Sequence, residues 1–340
     1  MPLVTMRQLL DEAAAGNYGV AAFNVNNMEQ IQGIMEAAQE TRSPVIVQAS
    51  RGARSYAGDR FLYHLMLAAA ETYPDIPVAL HQDHGNSPET CMSAIELGFT
   101  SVMMDGSLAE DAKTPLSFED NIAVTKKVVD YAHERGVTVE GELGTLGGIE
   151  DGVGSGEIAL TDPEQAEEFV QRTGVDALAV AIGTSHGAYK FSREPDGDIL
   201  AMEIIEDIHR RLPETHIVMH GSSSVPADLV ERVKAAGGEV DAGFGVPISA
   251  ITRGIEHGVR KVNIDTDGRL AITAAMREHF KDTPGDWDPR GVGKAARKGM
   301  KELVAQRMQE LGMAGHAGDY EPMSLEDMAA RYAIGVRSTV

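Results

Sequence analysis

The sequence predicts an α/β protein, a (β/α)8 TIM barrel with a C-terminal helical extension, on three observations. Short β-branched runs alternate with amphipathic segments, and the pair recurs eight times. Polar residues gather at or just after the ends of the runs, whereas their starts are mostly apolar. No composition break divides the 340 residues, so one domain is expected over 1–340, with the barrel at about 19–280 and the helical tail at about 289–335.

The candidate strands are GVAAFNV (19–25), PVIVQAS (44–50), PVALHQD (77–83), SVMMDGS (101–107), VTVEGEL (137–143), ALAVAIG (177–183), HIVMHGS (216–222) and VRKVNID (259–265). Helices between them include MEQIQGIMEAAQE, SFEDNIAVTKKVVDYAHERG and DPEQAEEFVQRTG, the last two closing on Gly136 and Gly174. The polar strand ends are Asn24, Ser50, Asp83 with His84, Asp105, Glu140 with Glu142, His186, His220, and Asn263 with Asp265. One such residue alone reads as a turn or a helix cap. In a barrel, however, all eight strand ends meet on one face, so together they mark a site.

Composition narrows the chemistry. A formal charge of −22 argues against nucleic acid and is otherwise the charge of a solvated acidic surface. The N-terminus lacks a basic region followed by an apolar run, and no window approaches the roughly 18 apolar residues of a membrane span, so a cytoplasmic location is expected. Cys91 is the only cysteine, which leaves His, Asp and Glu as ligands for any transition metal.

Of 11 histidines, three lie beside glycine at strand ends: His84 in DHG, His186 in SHG and His220 in HGS. Neutral imidazoles on loops three, six and seven could meet around one cation and leave a position open, the pattern of a catalytic zinc site. The alternative is three hydrogen-bonded histidines without a metal. His81 shares the parity of Asp83 but lies deeper, as packing or support, and Glu142 is an alternate ligand or an orienter of one.

The series DHG (83–85), VMMDGS, EGELGTLGGIEDG (140–152), SHGAYKF (185–191), HGSSS (220–224), NIDTD (263–267) and DPR (288–290) resembles the class II, metal-dependent fructose-bisphosphate aldolases, in order over essentially the whole chain. RGARSYAG after the second strand most resembles their Calvin-cycle-like subgroup. The resemblance implies an aldehyde-lyase that reversibly cleaves fructose 1,6-bisphosphate to dihydroxyacetone phosphate and glyceraldehyde 3-phosphate, in glycolysis, gluconeogenesis or the Calvin cycle. Carbanion character beside the ketone would be absorbed by the cation as an enediolate.

By that resemblance His84, His186 and His220 are the zinc ligands, with Glu142 near an alternative metal position; cobalt, iron or manganese would suit the same donors. Asp83 transfers the proton of the C4 hydroxyl. Glu150, in a segment with seven glycines in 16 residues, is the base at C3 on a lid, against the plainer reading of a flexible connection.

The same resemblance implies the remaining roles: Gly187, Gly221, Ser223, Asn263, Asp265 and Thr266 should cradle the C1 phosphate, with sodium or potassium nearby. Arg269 and Arg290 take the second phosphate, Arg290 from a neighbouring subunit and Asp288 orienting Arg269, which implies a homodimer or homotetramer. Asn24 and Ser50 contact substrate, while Asp105 and Glu140 support the site. Alternatives are a tagatose-1,6- or sedoheptulose-1,7-bisphosphate aldolase and, more distantly, a non-catalytic sugar-phosphate-binding protein. A Schiff-base mechanism lacks a well-placed lysine: Lys261 has inward parity but starts its strand, and Lys190 lies in a loop.

Overall fold

The computed structural model describes residues 3–111, 113–145, 159–185, 187, 191, 195 and 199–340. Eight parallel strands close into a barrel in sequence order, with β8 pairing back onto β1. They are β1 (Val20–Asn24), β2 (Val45–Ser50), β3 (Val78–Gly85), β4 (Ser101–Met104), β5 (Thr138–Leu143), β6 (Ala177–Val180), β7 (His216–Met219) and β8 (Val259–Ile264). Each falls within or beside the run predicted for it, because short apolar, β-branched runs bounded by turn residues are local properties of the chain, and every strand residue is buried.

Around the barrel lie α1 (Met6–Gly16), α2 (Met28–Thr41), α3 (Arg51–Ala57), α4 (Asp59–Thr72), α5 (Pro88–Leu97), α6 (Phe118–His133) and α7 (Pro163–Thr173). They are followed by α8 (Met202–Arg211), α9 (Ala227–Ala235), α10 (Ile248–Glu256), α11 (Thr266–Asp282), α12 (Pro289–Glu310) and α13 (Leu325–Ala333). Side-chain caps start many of these helices: Asn27 takes the Gln30 N–H, Ser87 that of Thr90 and Ser117 that of Asp120. Gly174 ends α7 at φ +79°, as its position after the last apolar residue predicts.

Strand register explains how distant residues share the interior. Asn24 lies level with Gln48, Gln48 with His81, Ser50 with Asp83, and Ala22 with Asn263. Side chains alternate across each strand, so Gln48 and Ser50, His81 and Asp83, Glu140 and Glu142, and Lys261 and Asn263 share one parity, the inward one. The opposite parity is apolar and packs against the helices. It includes Val45, Val47, Val139 and Val262, all buried.

The N-terminal end of the barrel is closed by α1 and the chain's last residues. Arg7 donates its N–H to Thr138 Oγ1 at 2.9 Å, Asp11 meets His216 Nε2 at 2.6 Å, and Thr339 N–H and Oγ1 both reach Asp11 Oδ2 at 2.8 Å. His133 pairs with buried Asp176 at 2.9 Å and stacks on Tyr332, so it is more enclosed than a default surface histidine. Outside the barrel, α12 docks on α2, with Arg297 bonded to Gln32 at 3.1 Å. Among the described residues, no helix is long and apolar enough to cross a membrane.

Candidate active site

Alternation along β3 would send Asp83 and His84 to opposite faces. Instead His84 adopts φ +46° and the β3–β4 register shifts between Gln82 and Gly85, which turns the imidazole towards the mouth beside Asp83. A left-handed non-glycine residue at a strand end is a local strain of the kind that marks functional sites. Gly85 makes room for it: a Cβ there would lie 2.5 Å from Cys91 Sγ and 2.7 Å from the Met103 carbonyl oxygen.

His84 Nε2 faces His220 Nδ1 at 3.1 Å, with the rings nearly perpendicular at 80°. The far nitrogen of each ring is already engaged. His84 Nδ1 meets Asp105 Oδ2 at 3.0 Å, and His220 Nε2 meets Glu140 Oε1 at 2.7 Å. A carboxylate on the far nitrogen fixes the proton there and leaves a lone pair on the near one. Two lone pairs aimed at each other across 3.1 Å repel unless a proton or a cation lies between them. The donor atoms of Asp83, His84 and His220 all lie within 4.8 Å of one another, as do those of His84, Asp105 and Glu142.

The electrostatics agree with that geometry. Burial pulls the His84 imidazole down, but the Asp83 charge and the Asp105 hydrogen bond override it and raise it to about 10. His220 is held well below the usual histidine range by burial and by the neighbouring His84 charge. Burial, reinforced by the Asp105 charge, pushes the Glu142 carboxyl well above the usual range, and its Oε2 lies 4.0 Å from His84 Nδ1. Asp105 resists burial and stays low because it accepts from His84 and from Ser107 Oγ, the latter at 2.6 Å.

Asp83 is positioned from both sides. Asn263 Nδ2 donates to its Oδ1 at 3.2 Å and also lies 3.2 Å from His220 Nδ1. Gln48 Nε2 donates to Asn24 Oδ1 at 2.7 Å and reaches Asp83 Oδ2 at 3.4 Å. Gln48 was not singled out from the sequence, although its parity with Ser50 is the signal that could have found it. Ser50 Oγ accepts the Ala53 N–H at 3.1 Å and so starts α3.

Beneath the histidines lies Lys261, inward by parity but at the start of its strand. Lys261, fully buried, places Nζ 2.9 Å from Glu140 Oε2, on the carboxylate that holds His220. His81 Nε2 lies 3.5 Å from the same oxygen, and its other nitrogen meets Ser101 Oγ. Lys261 is thus inward, as its parity indicates, but it is committed to an ion pair.

Loops seven and eight meet beside the histidines. Ser223 Oγ accepts the Asp265 N–H at 3.3 Å, and Thr266 begins α11 in a buried position. Gly221 has φ +61°, and a Cβ there would lie 2.5 Å from the Ser185 carbonyl oxygen, so loop seven packs directly on the residue before His186. Gly187 has φ +81°. His186 and Glu150 lie outside the described residues.

The arginines require one correction. Among the described residues, Arg269 bonds Asp265, at 2.9 and 2.6 Å, one helical turn away, whereas Asp288 holds Arg290 at 2.6 to 3.0 Å. Asp288 caps α12 through the Arg290 N–H, which brings it to its near neighbour instead of Arg269. Arg269 lines a cavity of about 450 Å³ with Asn26, Gln30, Tyr56 and Thr273. Arg290, 83% exposed, borders a separate cavity of about 420 Å³ with Met28, Lys294 and Arg297.

The chain is similar to known proteins. The family model described as fructose-bisphosphate aldolase class-II matches residues 4–316. The fructose-bisphosphate aldolase of Nostoc commune is 59% identical over 352 residues, covering 100% of this chain and 98% of that protein. The fructose-bisphosphate aldolase class 2 of a Synechocystis species is 59% identical over 347 residues, covering 98% and 97%. Among solved structures, the YdjI aldolase from Escherichia coli K12 superposes with a TM-score of 0.72 at 31% identity, covering 93% of this chain and 99% of that one. With the motif series, the barrel and the paired imidazoles in one place, the chain belongs to the class II fructose-bisphosphate aldolase family, which is metal-dependent.

Proposed function

We propose that the barrel mouth catalyses the reversible, zinc-dependent cleavage of fructose 1,6-bisphosphate to dihydroxyacetone phosphate and glyceraldehyde 3-phosphate. The observation that carries this reading is the pair of facing nitrogens, His84 Nε2 and His220 Nδ1, each backed by a carboxylate. Their 3.1 Å separation is less than twice a Zn–N bond of about 2.0–2.1 Å, so one ion can reach both. His186 would be the third ligand, and Glu142, with its second oxygen buried and unbonded, suits an alternate position. When bound, the ion supplies Lewis-acid polarisation of the ketone and its neighbouring hydroxyl; zinc, cobalt, iron or manganese would serve.

The chain's own groups move the protons. Asp83, steadied by the Asn263 and Gln48 amides, takes the C4 hydroxyl proton as the C3–C4 bond breaks and C4 becomes the aldehyde. The bonding pair stays with the C3 fragment, which Glu150 protonates at C3. Condensation reverses both transfers. Asp105 and Glu140 hold the ligand imidazoles in orientation.

Gly187, Gly221, Ser223, Asn263, Asp265 and Thr266 would receive the C1 phosphate, with sodium or potassium beside it. Asn24 and Ser50 would contact the sugar, and Arg269 the distal phosphate. The exposure of Arg290, beside Trp287 at 91%, supports its acting in a neighbouring subunit, hence a homodimer or homotetramer.

The test is cleavage of fructose, tagatose and sedoheptulose bisphosphates before chelation, after it, and after zinc or cobalt is returned. The reading expects loss and recovery, with fructose bisphosphate preferred. Asp83→Ala should keep the metal and lose most turnover, whereas His220→Ala should lose both. Unaltered metal content in His220→Ala overturns the ligand assignment.

A further inference from the structure

Loop seven, from His220 to Val225, is gripped from behind by a buried ion pair that has no place in the reading above. Asp267, in the first turn of α11, accepts the Val225 N–H on Oδ1 at 2.8 Å; its Oδ2 accepts the Ser224 N–H and hydroxyl at 3.1 Å each. Arg307, on the outer helix α12, sends Nε and Nη2 to that same Oδ2 at 3.1 Å, and Nη2 to Ser224 Oγ at 2.5 Å. Both charged side chains are buried.

What they hold is not a relaxed turn. Val225 has φ +48°, a left-handed conformation in which a β-branched residue is strained. Such a conformation persists only where its surroundings over-determine it. Here the two oxygens of Asp267 take two successive amides, and Arg307 holds that carboxylate in place. On the opposite side of the turn, the Ser223 carbonyl accepts the Val246 N–H at 3.2 Å, while its hydroxyl accepts the Asp265 N–H from loop eight.

We propose that Arg307 and Asp267 are positioning residues for phosphate recognition, holding the 222–225 turn in its anion-receiving shape before substrate arrives. The proposal rests on the reading of loops seven and eight as the phosphate cradle. Its physical content is preorganisation: a turn already ordered loses little entropy when the anion binds. The plainer account is a buried ion pair that serves stability alone. The two differ in what they do to phosphate affinity.

The experiment uses the metal-loaded full chain, with inorganic phosphate as probe. Arg307→Met leaves the Asp267 carboxylate buried without its guanidinium, and the turn relaxes. The expected result is about tenfold weaker inhibition by phosphate and about tenfold higher KM for fructose 1,6-bisphosphate. Turnover should stay within about threefold, and metal content should be unchanged, because Glu140 holds His220 independently.

A folded Arg307→Met variant with wild-type phosphate affinity and KM overturns the proposal. Should that variant not fold, Arg307→Lys keeps the charge and removes the fork to Ser224, and phosphate affinity should fall about threefold; unchanged affinity overturns the proposal again. Ser223→Ala separates the proposal from the reading beneath it. If that variant weakens phosphate binding and the Arg307 variants do not, the clamp fails alone; if none does, the cradle reading fails with it.

Discussion

Replacing Lys261 by Met tests the charge arrangement beneath the metal centre. Lys261 and Glu140 are both 0% exposed and 2.9 Å apart, so the substitution leaves a carboxylate in the barrel with His220 and His81 as its remaining polar neighbours. Breaking a buried pair by removing one partner costs about 3–5 kcal/mol. For a protein of this size, that corresponds to a fall in Tm of about 4–7 °C. The double variant Lys261→Met with Glu140→Gln removes both charges, leaves no orphan, and should regain most of the lost stability. It should not regain the metal. His220 Nε2 would then donate to a neutral amide in place of a carboxylate, and zinc affinity should drop about 10- to 100-fold. Thermal unfolding of the metal-stripped protein and zinc titration against a competing chelator read the two effects separately. A single variant as stable as the wild type, or a double variant with wild-type zinc affinity, would refute the reasoning.

Two further outcomes follow from other parts of the fold. Gly85→Ala puts a methyl against Cys91 Sγ and the Met103 carbonyl oxygen, the latter backbone that cannot swing aside, so β3 must part from β4. We expect a loss of about 1–3 kcal/mol and incomplete metal loading, and full metal content in a purified variant would contradict this account of His84. At the other end of the barrel, burial holds the His216 imidazole below its ordinary value despite its bond to Asp11. The unfolded chain therefore takes up that proton first as pH falls through about 6.5, and stability declines below that point. Asp11 and Asp176, kept low against burial by His216 with Arg7 and by His133 respectively, add a second decline as pH falls through their depressed folded values, below about 4. His216→Gln should flatten the first decline and reduce the Asp11 share of the second while leaving that of Asp176, and identical Tm–pH curves for both proteins would exclude His216 as the source of the first.

The candidate site was legible in the sequence to the extent that it depends on strand parity. Asp83, Glu140, Glu142 and Asn263 could be placed on one face by counting in twos, and glycine beside His84 and His220 marked the strand ends. Gln48 obeys the same count without being singled out, and Lys261 reads only as a badly placed Schiff-base lysine, because parity says which way a side chain points and nothing about its partner. Lys261 starts its strand, so it reads as remote from the mouth until the Glu140 carboxylate, more than a hundred residues away, is seen beside it. The pairing of Asp288 with Arg290, and of Arg269 with Asp265, likewise follows from local helix-start geometry that motif spacing does not carry.

The sequence by itself determined the eight strands, their order and the side of each that turns inward, since these follow from local periodicity and the short reach of the connections. Only the tertiary structure decided that His84 leaves the alternation of β3, that its Nε2 faces Nδ1 of His220, and that α12 grips loop seven through Arg307 and Asp267. Those features depend on contacts between residues far apart in the chain, whose energies arise only when the barrel closes and the interior is drained of water.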